Sequence, residues 1–345
     1  ESLQFLISLP ESVSGAAGDI VSVKFYSGKG PKMGDVIVLK KSAEEILCNI
    51  VSVSSESFSF KISAQVETGK YVFSIRRGSQ TKAIGEISFE IEKRIEISEK
   101  EGYNVYGLIS CDGVGVPGVV VSDGVEVCVT DENGLYYMAS KEYNKLVFMS
   151  IPSGSDFHKT LDGNPKTTER ADWTLTKVNN ADHVMYVLGD MHLADRTRDL
   201  VQFADFTTDL NEQITANKSK KQYALTLGDM TWDLYWYSNA YDLYSYLDTM
   251  NSKVSGIQIF HTIGNHDHDM MADGDFNTVT AFKSKVAPTY YSFNIGNVHY
   301  VVLDNILCTN VPKADGSGRD YNSSLTTDQI NWLKKDLSYV DKSKT

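Results

Sequence analysis

Cysteine is scarce in this chain of 345 residues, which carries only Cys48, Cys111, Cys128 and Cys308. None stands two residues from another, which argues against a zinc ribbon or a redox dithiol. Their expected role is that of small buried hydrophobes. Cys111 and Cys128 fall in one small β-region, and a pairing there is the alternative for an exported chain. Basic charge is also in deficit. Lys and Arg number 33 against 45 Asp and Glu, a formal net charge of −12. That balance argues against a nucleic-acid partner, whose phosphates would be repelled. An acidic protein can still take phosphate esters if metal ions supply the local positive charge. Long apolar runs are missing: none approaches the roughly 18 residues of a membrane helix. The opening ESLQFLISLP lacks the basic start and long apolar core of a signal peptide.

What is present is a globular composition, 41% hydrophobic and 23% charged, in a chain long enough for two or three domains. Residues 1–98 read as strands. VSVKFYSG (21–28), GDVIVLKK (34–41), FSFKISA (58–64) and KYVFSIRRG (70–78) alternate or run apolar and β-branched between Gly, Ser and Asn. Such spacing predicts an immunoglobulin-like β-sandwich with no chemistry of its own. The charged stretch EKRIEISEKEG (92–102) leads into a second β-module over 99–179. Its segment VYGLISCDGVGVPGVVVSDGVEVCVTDENGLYYM (105–138) resembles the small transthyretin-like or carboxypeptidase-regulatory-like sandwich, and KTTERADWTLTKV (166–178) closes it. The DENG turn lacks the spaced Asp ligands and terminal Glu of an EF-hand and reads as a hairpin turn.

From about 180 the pattern becomes strand, helix, strand, as in α/β proteins. Leu200, Phe203, Phe206, Leu210 and Ile214 mark one amphipathic helix. Tyr241, Tyr244, Leu247 and Met250 mark a second, with Tyr241 and Tyr244 expected in the core. Residues 290–304 read as a two-stranded hairpin, and Thr326 with Gln329 forms a capping box for DQINWLKKDL.

Three apolar strands in this region each stop at Gly followed by Asp or Asn: HVMYVLGDMH (183–192), YALTLGDM (223–230) and IQIFHTIGNHDHD (257–269). Ligands of open α/β sheets bind at the carboxyl ends of parallel strands. Those ends carry Asp190, His192, Asp229, Asn265 and His266, the oxygen and imidazole donors that divalent transition metals take. Alone, each motif is ordinary, since an Asp at a strand end commonly forms a turn or helix cap. The ordered set D-x-H, GD, GNHD resembles the calcineurin-like metallophosphoesterases over about 181–305.

That resemblance implies a multidomain chain, two all-β sandwich modules followed by an α/β domain of αββα architecture at 180–345. It implies two divalent ions, Mn, Fe or Zn, with Asp190 and His192 on the first, Asp229 bridging and Asn265 on the second. His266 would then serve as the proton donor to the leaving oxygen or as a phosphate ligand. The implied reaction is hydrolysis of a phosphomonoester or phosphodiester by metal-bound hydroxide. Two cations about 3.5–4 Å apart clamp an anionic ester and acidify water, and imidazole has a suitable pKa for the leaving group. The type bearing a transthyretin-like module is secreted and bacterial, which implies a periplasmic, cell-surface or secreted location.

Two departures from the family stand out. In GDMTWD, Asp233 lies one position later than the aspartate that commonly orients the GNH histidine, with Asp267 and Asp269 as alternatives. The family also completes its centre with a later histidine and a GHxH-like pair. After His266 only His268 and His299 remain. The expectation is therefore a chain truncated relative to its gene product and impaired in this form. A cell-surface binding or adhesion protein with an inactive phosphoesterase-like domain is the alternative. Among the aromatics after Asp229, Trp232 and Trp236 are candidates for substrate contact. His183, His261 and His299 read as packing residues, and His268 as a candidate substrate neighbour.

Overall fold

The computed structural model describes residues 3–26, 28–92, 97–140, 146–156, 170–316, 319–343 and 345. The chain divides into two compact units, residues 1–96 and 97–345.

In the first unit eight strands form one hydrogen-bonded path. The four segments read from sequence overlap the strands Ile20–Phe25, Val36–Lys41, Ser57–Lys61 and Gly69–Arg77. Of two longer strands, Glu44–Val53 pairs with both Val36–Lys41 and Ser57–Lys61, and Gln80–Glu92 pairs with Gly69–Arg77. Alternation decides which face turns inward. Val21, Val23 and Phe25 are buried while Ser22 and Lys24 are exposed. Phe60 and Phe73, on strands that do not pair, meet edge-on with ring centroids 5.8 Å apart. The sheet therefore folds over its own apolar face, and each fully buried Phe contributes about 2–3 kcal/mol.

In the second unit Val105–Cys111 lies between the parallel strand Trp173–Lys177 and the antiparallel strand Leu135–Met138. The first residues of the expected closing segment, 166–169, lie outside the described residues. The DENG turn differs from the expected hairpin. It joins Val127–Val129 to Leu135–Met138, which belong to different sheets. Asp131 holds it by accepting from the N–H groups of Asn133 and Leu135. Cys111 and Cys128 are free thiols, and burial pushes the Cys128 pKa up to about 12. That leaves its thiolate, the reactive form, negligible at neutral pH.

The strands His183–Leu188, Lys221–Thr226 and Gln258–Phe260 pair in parallel. Helix Asp199–Ala216 buries Phe203, Thr207 and Leu210, while Phe206 is 39% exposed at the edge of that face. The next helix runs Leu243–Lys253, because the Asp242 carboxylate caps it by accepting from Tyr244 N and Ser245 N. Tyr241 precedes this helix and is buried, as expected of a core residue. Tyr244 instead points outward at 53% exposure, with the Lys285 ammonium 3.0 Å from its ring centroid. The face turned inward is Leu243, Tyr246 and Met250.

Tyr291–Ile295 and Val298–Val302 form the antiparallel hairpin. Phe293 on it stacks on Phe260 with centroids 3.6 Å apart. Thr326 caps helix Thr327–Ser338 by accepting from Gln329 N. One hydrophobic cluster runs from Val105 through Leu188 and Phe260 to Trp332, so the β-module and the strand-helix region share a core. Among the described residues, no helix is long and apolar enough to cross a membrane.

Candidate metal centre

The strand His183–Leu188 ends in a loop whose Asp190 and His192 have φ of 59° and 49°. Asp229, after the next strand, has φ of 49°. Non-glycine residues in this left-handed region are uncommon, and they concentrate at functional sites. Backbone bonds hold the two loops in register: His192 N donates to Asp229 O at 2.8 Å and Leu193 N to Met230 O at 3.0 Å.

Glycine is required where the second and third loops meet. Gly228 has φ of +92°, and a Cβ there would lie 2.7 Å from Gly264 Cα. A Cβ on Gly264 would lie 2.2 Å from Asp229 Oδ1 and 2.3 Å from Asp229 N. This approach lets His266 N donate to Asp229 Oδ1 at 2.9 Å.

The ligand atoms of His192, Asp229 and His266 all lie within 4.8 Å of one another. His192 Nε2 stands 3.1 Å from Asp190 Oδ1 and 3.3 Å from Asp229 Oδ2. A nitrogen between two carboxylate oxygens occupies a place suited to a proton or a divalent cation, so the donor set fits a metal of the nitrogen- and oxygen-binding kind. The bond to Asp229 pushes the His192 pKa up, and the Asp190 charge adds to it. Burial works against the Asp229 carboxylate, yet bonds from His192 and the His266 N–H outweigh it and hold its pKa below the usual range. Asp190 is the outermost of the set, its side chain 82% exposed. Asn265 opens the short 3₁₀ turn Asn265–Asp267 next to His266 and is half-buried.

Among the three aspartates weighed as partners of His266, Asp233 holds the ring. Its Oδ1 is 2.8 Å from His266 Nδ1, and the residue is 1% exposed. That contact leaves Nε2 for a ligand. Asp267 is fully buried and accepts from Gly264 N, Thr231 N and Thr231 Oγ1, tying the second and third loops together. Burial raises its pKa to about 6. Asp269 accepts from the Tyr237 hydroxyl.

The aromatics divide differently from the sequence expectation. Trp236 is buried and donates Nε1–H to Thr231 Oγ1, a scaffolding contact. Trp232 packs against both site histidines, with centroids 5.1 Å from His192 and 5.5 Å from His266. The Arg196 guanidinium lies 4.3 Å from the Trp232 ring centroid. Arg196 and Thr231 carry no sequence signal of this placement, since neither belongs to a periodic face or a ligand-like spacing. His268 is buried on Thr278 Oγ1, and burial lowers its pKa to about 4, which fits a neutral packing residue rather than a substrate neighbour. His261 is likewise buried, with its pKa lowered to about 4 by burial. His183 bridges Asn180 and Tyr300, and His299 bridges Asn294 and Asp336.

Over 106 residues, 28% of this chain, the protein is 31% identical to purple acid phosphatase 15 of Arabidopsis thaliana. The matched part spans 17% of that protein's length. A crystal structure of a DUF4784 family protein from Bacteroides caccae aligns with 38% of this chain and 30% of that one, at 12% identity and a TM-score of 0.22. Residues 103–182 match the family described as the N terminal of calcineurin-like phosphoesterase, and residues 183–342 match calcineurin-like phosphoesterase. With both matches contiguous and the second containing every residue of the metal-ligand cluster, the chain belongs to the calcineurin-like phosphoesterase family.

Proposed function

We propose that the protein hydrolyses a phosphomonoester or phosphodiester with the help of two divalent ions, Mn, Fe or Zn. The observation that carries this reading is His192 Nε2 set between the Asp190 and Asp229 carboxylates, within 4.8 Å of a His266 nitrogen. Asp190 and His192 would hold one ion, Asp229 would lie between the two, and the Asn265 side-chain carbonyl would serve the second. Bound there, such ions supply positive charge to the phosphate oxygens and acidify a water nucleophile. The remaining work falls to the protein's own groups. Asp233 accepts from His266 Nδ1–H and so fixes the ring with Nε2 turned toward the site. His266 Nε2–H then gives its proton to the departing oxygen. Trp232 screens one side of both imidazoles from water. The face-to-face stack of Phe260 on Phe293 supports an αββα arrangement, with the hairpin packed on the parallel strands.

Turnover of an aryl phosphate by the metal-loaded protein tests the reading. Asp229→Ala should abolish it, and undiminished turnover in that variant would overturn the assignment. His266→Ala should lower the rate by about 10²-fold or more while metal content stays near that of the unmodified protein. Loss of metal in His266→Ala would make this residue a ligand rather than a proton donor.

A further inference from the structure

The residues assigned above account for the metals and the leaving group but leave one charged group beside them without a task. Arg196 stacks over Trp232, with Cζ 4.3 Å from the ring centroid, and sits 5.3 Å from the Tyr235 centroid. Trp232 and Tyr235 meet edge-on at 5.5 Å, so the guanidinium rests in an aromatic corner. Among the described residues it makes no hydrogen bond or ion pair, although the region is rich in carboxylates. Its backbone is held in place. Arg196 N donates to Asp199 Oδ1 at 2.9 Å, and Asn239 Nδ2 donates to the carbonyls of Ala194 and Asp195. A stacked guanidinium keeps its five N–H donors directed in the ring plane, suited to bidentate contact with phosphate or carboxylate.

Distance separates this group from the reacting phosphate. The guanidinium is reached from the His192 ring in two steps, 5.1 Å to Trp232 and 4.3 Å onward, so it lies no farther than those steps combined. Trp232 thus touches both the site imidazoles and Arg196. A substrate with its phosphoryl group at the metal-ligand cluster would reach this shelf with a group a few bonds from its ester oxygen.

We propose that Arg196 on Trp232 binds a second anion of the substrate, a carboxylate or phosphate two or three bonds from the ester oxygen. The site then selects phosphorylated acids over phosphate esters of uncharged alcohols. The inference rests on the metal cluster being the place where a phosphate ester is hydrolysed. It explains how a chain of net charge −12 draws in a substrate bearing two negative groups.

The test compares phosphoglycolate with 2-hydroxyethyl phosphate, which are alike except for the carboxylate, in the manganese-loaded protein. The unmodified protein should favour phosphoglycolate. Arg196→Ala should lower kcat/KM for phosphoglycolate about tenfold, chiefly through KM, and leave 2-hydroxyethyl phosphate within about twofold. Arg196→Lys should restore part of the difference. Equal effects on both compounds, or none, would overturn the proposal. Calorimetric binding of phosphoglycolate to the same variants separates the two readings. Arg196-dependent binding without turnover retains the shelf and removes the hydrolase, whereas turnover indifferent to Arg196 does the reverse.

Discussion

At Gly264 an added methyl would lie 2.2 Å from Asp229 Oδ1 and 2.3 Å from Asp229 N, and the second of these is backbone that cannot swing aside. Gly264→Ala should therefore push the GNH loop off Asp229 and break the bond from His266 N. Manganese content, measured with circular dichroism as a check on folding, should fall by roughly 10-fold or more, the range seen when groups that orient metal ligands are lost. Unchanged metal content would show that the loop contact is dispensable. Residue types at this scale were legible in the chain. Asp190, His192, Asp229, Asn265 and His266 could all be picked out as strand-end donors. The partner of His266 could not, because Asp233, Asp267 and Asp269 are equally plausible in one dimension. Asp233 and His266 are 33 positions apart, and only the folding of one loop over another brings Oδ1 to 2.8 Å from Nδ1.

Elements were legible where a period and a cap agreed. The helix Thr327–Ser338 starts at its Thr326 cap, as read. The helix Leu243–Lys253 starts later than the tyrosine spacing suggests, because Asp242 supplies the cap that Tyr241 does not. What fastens an element was less visible. Asp336 on helix Thr327–Ser338 accepts from Ser292 Oγ at 2.7 Å and lies 2.9 Å from His299 Nε2, both on the hairpin. The His299 and Asp336 side chains are 8% and 2% exposed. Removing His299 takes one of two hydrogen-bond partners from the buried Asp336, a cost of about 1–3 kcal/mol. His299→Ala should lower the Tm seen by calorimetry by roughly 5 °C in a unit of this size, at about 2–4 °C per kcal/mol. A change under about 2 °C would mean that the pair is not what fastens the helix.

For the whole molecule, stability near neutral pH reflects buried groups of opposite sign. Burial raises the Asp304 pKa to about 7, with the Asp275 charge adding to it. Unfolded, an aspartate titrates near 3.9. Between these values the folded chain holds the extra proton, so stability falls as pH rises through this window. His261 works the other way. Its pKa of about 4 when folded lies below the usual histidine value, so its contribution is lost as pH falls toward 4. The two slopes oppose each other, and the unmodified protein would show little net trend from them. Asp304→Asn removes one. Its Tm should exceed that of the unmodified protein by a few degrees at pH 8, and the difference should vanish near pH 4. A constant difference across that range would rule out titration of Asp304 as its source.

The chain by itself determined the family, the strand-rich first half, the strand-helix alternation after 180 and the donors at the strand ends. Those follow from residue type, period and order, which are properties of one dimension. Only the tertiary structure decided that Asp233 holds His266, that Trp236 is scaffold while Trp232 faces the histidines, and that Arg196 lies over Trp232. The contacts of Asp233 with His266 and of Trp232 with the histidines and Arg196 join separate loops, and their energy exists only once those loops have closed on one another, as Gly228 and Gly264 allow for the second and third.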